Sequence, residues 1–322
     1  MTKPPGNGIL EEFGTEFRNC WQRLPNKAFF AALLVAWLAL FQFLGNSTLG
    51  YVRTPSLLYW MFNAYNPPTG EADDAHGNLI PFLVLFLFWW KRRQLLDLEL
   101  RTWWPGLVLV LLGLLVHVLG FGIQQPRISI IGMFIGLYGL TGLTWGLGWL
   151  RASFFPFFLF IFCVPFGSQG QFITLPLRLL VAKIVTFIAH LGLAPDLVQE
   201  GTQLFDGQNS FHYEIAPACS GIRSLVALLS LTTIYGFVSF QNPWKRAVMV
   251  ASAFPLAVVG NVARLTFTVV IAEAFGQEAG SLVEQKFGFV TFAVAIGLVL
   301  ALGHWLREPP AVPNLEVKAG AT

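Results

Sequence analysis

Residues 28–44 are a nearly continuous apolar run, and seven more runs of the same kind follow at residues 75–90, 107–123, 128–150, 154–166, 221–240, 247–274 and 287–306 of a 322-residue chain. An α-helix rises about 1.5 Å per residue, so about 20 apolar residues cross a hydrocarbon layer about 30 Å thick. The composition agrees: 55% of residues are hydrophobic and only 11% charged, with a mean hydropathy of +0.63, far above that of a soluble domain. The expected fold class is an all-α polytopic membrane protein with about eight transmembrane helices, an amphipathic interfacial helix and a small extracytoplasmic β-hairpin. Abundant Phe, Trp and Gly fit lipid-facing surfaces, interfacial belts and close helix contacts.

Charge orients the runs. Residues 1–27 carry Lys3, Arg18, Arg23 and Lys27 among Glu11, Glu12 and Glu16, and are expected as a cytoplasmic N-terminal segment. They are mostly polar, so no cleavable signal peptide is expected there. The acidic stretch 46–78 (Glu71, Asp73, Asp74) has Arg53 as its only Lys or Arg and belongs outside, with residues 56–65 lying along the interface. The second run stops at Lys91-Arg92-Arg93, a cytoplasmic marker; the fourth ends at Arg151, and Gln241 to Arg246 forms another cytoplasmic turn. Gly132, Gly136, Gly139 and Gly142 on the fourth run read as a packing face.

Residues 175–193 create a conflict. If they crossed the membrane, Lys245-Arg246 would face outside, against the charge rule. Arg178, Ala182, Lys183, Thr186 and His190 recur at helical spacing, so the segment is expected as an amphipathic helix in the outer interface or a partial insertion. Beyond it, residues 198–204 and 211–215 alternate around Asp206-Gly207-Gln208-Asn209, the pattern of a β-hairpin outside the membrane. The transmembrane domain is then 28–307, and 308–322 is expected as a disordered cytoplasmic tail rich in Pro, Ala and Gly.

Two groups at the outer boundary carry chemistry. Cys219 or Ser220 is placed to cap the helix that begins at Gly221, and a thiol at a helix N-terminus meets a partial positive charge that favours thiolate. Arg223, one turn on, adds a full positive charge on about the same face. Cys219 is thus either a nucleophile or a small buried hydrophobe. Arg264 interrupts an otherwise apolar run, and counting from Ala247 puts it roughly 25 Å up, near the depth where the Cys219 helix begins. It either shares a wet pocket with the thiol or snorkels to the headgroups. Asn261, one turn below, is placed to orient it.

Three elements, in the same chain order as in one family, carry a resemblance to it. Ala218-Cys219-Ser220-Gly221-Ile222-Arg223-Ser224-Leu225, Asn261-Val262-Ala263-Arg264-Leu265, and His76-Gly77-Asn78-Leu79-Ile80-Pro81 before a run ending in Lys-Arg-Arg are similar to motifs of the exosortase/archaeosortase family. The resemblance covers roughly residues 59–306. It implies a thiol protease and transpeptidase embedded in the plasma (inner) membrane, acting outside the cytoplasm on exported proteins with a C-terminal sorting signal: a short Pro-Glu-Pro-like (PEP-CTERM) motif, an apolar helix and a basic end. By motif match, Cys219 is the nucleophile forming an acyl-thioester and Arg264 the group that stabilises charge or delivers a proton. The sequence departs from the family at a third position. A histidine is expected a few residues before Gly288; the run is Ser281-Leu282-Val283-Glu284-Gln285-Lys286-Phe287, and Glu284 falls closest to that place. Glu284 is the candidate base, with His76 and His212 as substitutes on the outer side.

Other classes fall away. The net charge of +3 comes from Lys and Arg beside apolar runs, not from a patch fit for nucleic acid. Cys20, Cys163 and Cys219 are too far apart for a disulfide framework, and neither a metal-ligand spacing nor a cofactor is called for. The partners expected are the bilayer and the exported substrates. Two readings compete with the protease: a catalytically inactive sorting-signal receptor, and an extracytoplasmic acyltransferase carrying an acyl group on Cys219.

Overall fold

The described part of each of the eight apolar runs is mainly helical in the computed structural model, which describes residues 8–48, 53–68, 74–192, 196–206, 212–214, 222–286 and 288–308. The fourth run, expected as one span over 128–150, breaks at Gly146 (φ +102°), and residues 147–150 join the helix of the fifth. Among the described residues, three helices, Lys27–Leu44, Pro126–Trp145 and Pro243–Phe275, are long and apolar enough to cross a membrane by length and composition, and further apolar helical stretches lie on the other runs. The chain divides into two units, Met1–Gly170 and Gln171–Thr322.

The first unit is made of α1 (Gly8–Arg23), α2 (Lys27–Leu44), α3 (Leu57–Tyr65), α4 (Ile80–Trp90), α5 (Arg92–Leu96), α6 (Gly106–Gly122), α7 (Pro126–Trp145) and α8 (Leu147–Phe158), the last prolonged by a 3₁₀ turn, Leu159–Cys163. Hydrogen bonds between helix ends fix the directions. At one end Trp145 Nε1 donates to the Pro25 carbonyl (3.0 Å), Lys91 Nζ to Ala152 (3.2 Å) and the Trp103 amide to Leu143 (3.0 Å). At the other, Ser47 Oγ donates to Phe121 (2.8 Å), Arg127 Nε to Pro165 (2.6 Å), and the Asp74 carboxylate accepts from the amides of Phe166 and Gly167, both at 3.0 Å. The five apolar runs of this unit therefore alternate in direction, as expected, and Lys27, Lys91, Arg92, Arg93 and Arg151 gather at the first end.

The closest approach lies between α6 and α7. Gly106, Gly113 and Gly120 recur every seven residues, so they share one stripe of α6. A Cβ at Gly113 would stand 2.6 Å from both the Gly132 oxygen and the Gly136 nitrogen, which leaves room for hydrogen only. The glycine face is a packing device, as expected.

Residues 8–23, within the charged N-terminal segment, form an amphipathic helix. Arg92 donates through Nε (3.1 Å) and Nη2 (2.6 Å) to Glu16 while its guanidinium stacks on Trp89, and Arg23 pairs with Asp97 at 2.9 Å. The Arg92 bonds hold the Glu16 carboxyl below the usual carboxylate range.

The second unit holds α9 (Gln171–His190), β1 (Leu197–Glu200), β2 (Gln203–Asp206), β3 (His212–Glu214), α10 (Ile222–Ser239), α11 (Pro243–Ala251), α12 (Ala253–Phe275), α13 (Gln277–Lys286) and α14 (Gly288–Trp305). The expected hairpin is a three-stranded antiparallel meander. The stretch taken for one strand, 198–204, turns back on itself because Gly201 adopts φ +61°, a conformation that glycine takes without penalty. The turn expected around Asp206-Gly207-Gln208-Asn209 lies largely outside the described residues, as do residues 309–322 of the expected tail.

α9 also differs from expectation. Its stripe Arg178, Val181, Ala182, Val185 and Ala189 is buried, and the apolar part of it packs on Val258, Leu265 and Val269 of α12. Phe172, Leu175, Leu179, Leu180 and Phe187 are exposed instead. Of the expected polar stripe, Arg178 and Ala182 face inward while Lys183 and His190 are exposed, so the buried side is the small-residue one and the bulky apolar side is left to suit lipid. At the end of α9, His190 Nε2 lies 2.8 Å from the Leu197 oxygen, and Leu197 and Leu204 join the same core.

α11 and α12 continue one another through Ser252. α13, missed in the sequence, follows Gly276 (φ +89°) and packs back against α12 before α14 returns. The ends of α10 and α14 meet the start of α11: Lys245 Nζ donates to Leu306 (2.9 Å), and Glu308 accepts from the amides of Gln241 (2.9 Å) and Asn242 (3.0 Å). Those two amide donors hold the Glu308 carboxyl below its ordinary range.

Candidate functional site

Helix register places the motifs at one level of the second unit. A Cβ on Gly236 of α10 would lie 3.4 Å from Met249 Cβ, and α10 and α11 run antiparallel. Fourteen residues back along α10 is Ile222; fourteen forward from Met249 is Ala263, so Arg264 stands at the height of the first turn of α10. On the parallel α14, the Tyr235 ring fills the space beside Gly303, which puts Ile222 about level with residue 290 in the first turn of α14. The beginnings of α10 and α14 and the residue Arg264 therefore share one layer. It lies about 27 Å beyond Arg246, counted at about 1.5 Å per residue.

Arg264 is 7% exposed, and no hydrogen bond or ion pair to its guanidinium forms among the described residues. Asn261 and Thr268 share its side of α12, because spacings of three and four residues bring the three side chains within about 60° round the helix. Both are buried, and Asn261 Oδ1 and Thr268 Oγ1 have no hydrogen-bond partner among the described residues. This polar strip lies between the face of α12 that meets α9 (Val258, Leu265, Val269) and the residues that meet α10 and α14 (Ala253, Ala257). Thr268 was not singled out in the sequence. Its signal was the spacing 261, 264, 268, which is legible once the helix is known to be buried on that side.

The other candidates divide. Cys219 and Ser220 lie outside the described residues; Arg223 is in the first turn of α10 and Glu284 in α13, with their side chains outside the description. His212 is placed only by its backbone, paired with Phe205 across the sheet. His76 belongs to the first unit, in the 3₁₀ turn Ala75–Asn78. There the Tyr65 ring occupies the space a Cβ on Gly77 would need, the Tyr65 hydroxyl donates to the Cys163 carbonyl, and burial pushes the Tyr65 phenol up from its ordinary pKa. The His-Gly-Asn-Leu-Ile-Pro element is thus built into the packing at the end of the first unit where Asp74 holds the amides of Phe166 and Gly167.

The family model of the transmembrane exosortases matches residues 69–301. The chain belongs to this family. No curated protein and no solved structure matches it. The exosortase match takes in His76, Cys219, Asn261, Arg264 and Glu284 and leaves α1 to α3 outside. Membership makes this a multi-pass membrane protein of the sorting protease and transpeptidase kind.

Proposed function

We propose that this exosortase is a cysteine peptidase with transpeptidase character that cleaves C-terminal, PEP-CTERM-like sorting signals from exported proteins at the extracytoplasmic face of the plasma membrane. The observation that carries the reading is Arg264: a buried arginine without a partner among the described residues, level with the helix start three residues after Cys219. A charge in that position is unfavourable unless it serves a ligand or a reacting group. Cys219 is three residues before Ile222, about 11 Å of chain at most, so the thiol is tethered near the same layer.

The chemistry then runs as follows. Glu284 takes the thiol proton, and Cys219 Sγ attacks the scissile carbonyl carbon, forming a C–S bond. Arg264 stabilises the oxyanion. Collapse breaks the C–N bond; the departing amine takes the proton from Glu284 and leaves with the apolar helix of the signal. An acceptor amine or water then attacks the thioester, passes a proton through Glu284 and restores the thiol. Glu284 lies two residues before the end of α13, and α14 begins at Gly288. Arg223 and the helix N-terminus favour the thiolate, Ser220 caps the first turn, and His212 is the alternative base within the same unit.

The basic loops assign the sides: Lys91–Arg93, Arg151 and Lys245–Arg246 fall in the cytoplasm, with about eight spans and both termini inside. The test is expression of wild type, Cys219→Ala and Glu284→Gln with a reporter carrying a tripartite C-terminal signal. Shortening of the reporter by wild type, none with Cys219→Ala and a strong loss with Glu284→Gln support the reading. A wild type that binds but never shortens any such reporter is a receptor.

A further inference from the structure

The strip on α12 has more hydrogen-bonding capacity than Arg264 alone accounts for. Thr268 is 1% and Asn261 6% exposed, and their oxygens lack partners among the described residues. Buried hydroxyls and amides without partners are rare and unfavourable, so two of them flanking a buried guanidinium point to a ligand that brings its own donors and acceptors.

Resting on the sorting-protease reading, we propose that this strip holds the substrate main chain in an extended, locally unwound form, with Thr268 and Asn261 as positioning residues on either side of the scissile carbonyl. The chemistry calls for such a device. A carbonyl inside an α-helix already accepts a hydrogen bond and is screened by its own coil, so a thiolate reaches it only after unwinding. Unwinding at the membrane boundary strands peptide N–H and C=O groups that water does not fully serve. The dimensions match. Asn261 to Thr268 is seven residues, about 10 Å along α12, and three residues of extended chain at about 3.3 Å each cover the same length. Arg264 stands between them, where the oxyanion of the central residue forms. Asn261 Oδ1 accepts a peptide N–H on one side; the Thr268 hydroxyl donates to a peptide carbonyl on the other.

The experiment uses the full chain in membranes and two reporters with the same cleavage motif. One has the ordinary apolar helix; in the other the two residues beside the cleavage point are replaced by Gly. Thr268→Val should raise KM for the ordinary reporter about tenfold, the value of one lost hydrogen bond to a buried group, with a smaller change in kcat. Thr268→Ser should restore it. The Gly reporter, already unwound, should be cut faster by wild type and should shrink the Val defect to about threefold or less. Equal kinetics for Val and wild type would overturn the proposal, as would equal defects in Val and Ser, or a Val defect indifferent to the Gly pair. Should the Val variant not accumulate, wild type alone decides: no preference for the Gly reporter overturns it. If wild type cuts neither reporter, the protease reading itself fails, which is a different result.

Discussion

Replacing Arg264 with methionine should make the protein more stable while abolishing its activity. Arg264 is 7% exposed, lies about 27 Å beyond Arg246 along the α11–α12 helix, and has no ion-pair or hydrogen-bond partner among the described residues, so nothing described there offsets its lost hydration. Methionine has a similar unbranched stem and fits an irregular apolar space. Exchanges of buried ions for apolar residues of like volume are neutral to stabilising by about 1–4 kcal/mol. For a folding unit the size of residues 171–322, that corresponds to a rise in Tm of roughly 2–16 °C. The assay is thermal unfolding of purified wild type and Arg264→Met in one detergent, beside reporter processing. A fall in Tm of several degrees would refute the reasoning, because it would mean that Arg264 is paired in the resting protein and that its first role is structural.

Three more outcomes follow from the packing and the charges. Gly113→Ala puts a Cβ 2.6 Å from two backbone atoms of α7 and should lower stability by about 1–3 kcal/mol or more, whereas Gly122→Ala meets open space and should leave Tm unchanged. The Glu308 carboxyl is held below its ordinary value by two amide donors, so the contact is complete above that ordinary value and is lost as pH falls through the lowered pKa; protection of the Gln241 and Asn242 amides from hydrogen exchange should drop on acidification, and Glu308→Gln should remove that pH dependence. Cys219 should label from outside with an impermeant maleimide in a Cys20→Ser, Cys163→Ser background, and labelling only after permeabilisation would invert the topology.

The helices of this exosortase were legible because continuous apolar sequence has few other ways to fold in lipid, and the alternation of the first five because Lys and Arg mark one end. What escaped were elements whose faces are set by neighbours. α1 carries Phe13, Phe17 and Trp21 at four-residue spacing, but its charges masked the pattern until Arg92 was seen holding Glu16. α13 is short and polar, and only its packing on α12 marks it as helix. In α9 both faces hold apolar residues, so periodicity grouped Arg178 and Ala182 with Lys183 and His190, which are exposed, and missed Val181, Val185 and Ala189 as the buried side. Of the site, the sequence supplied Cys219, Arg264 and Glu284 as types at given places in the chain. The common layer required the contacts of Gly236 with Met249 and of Tyr235 with Gly303, and Thr268 required knowing which side of α12 is buried.

The central claim is that Cys219 becomes acylated by the substrate. Incubating the protein in membranes with a reporter carrying the C-terminal signal, quenching in acid and measuring intact mass tests it directly. The account predicts a covalent adduct equal in mass to the reporter without its signal helix, mapped to Cys219, released by hydroxylamine and missing from Cys219→Ala. Cleavage of the reporter without any such adduct, persisting in Cys219→Ala, would contradict it.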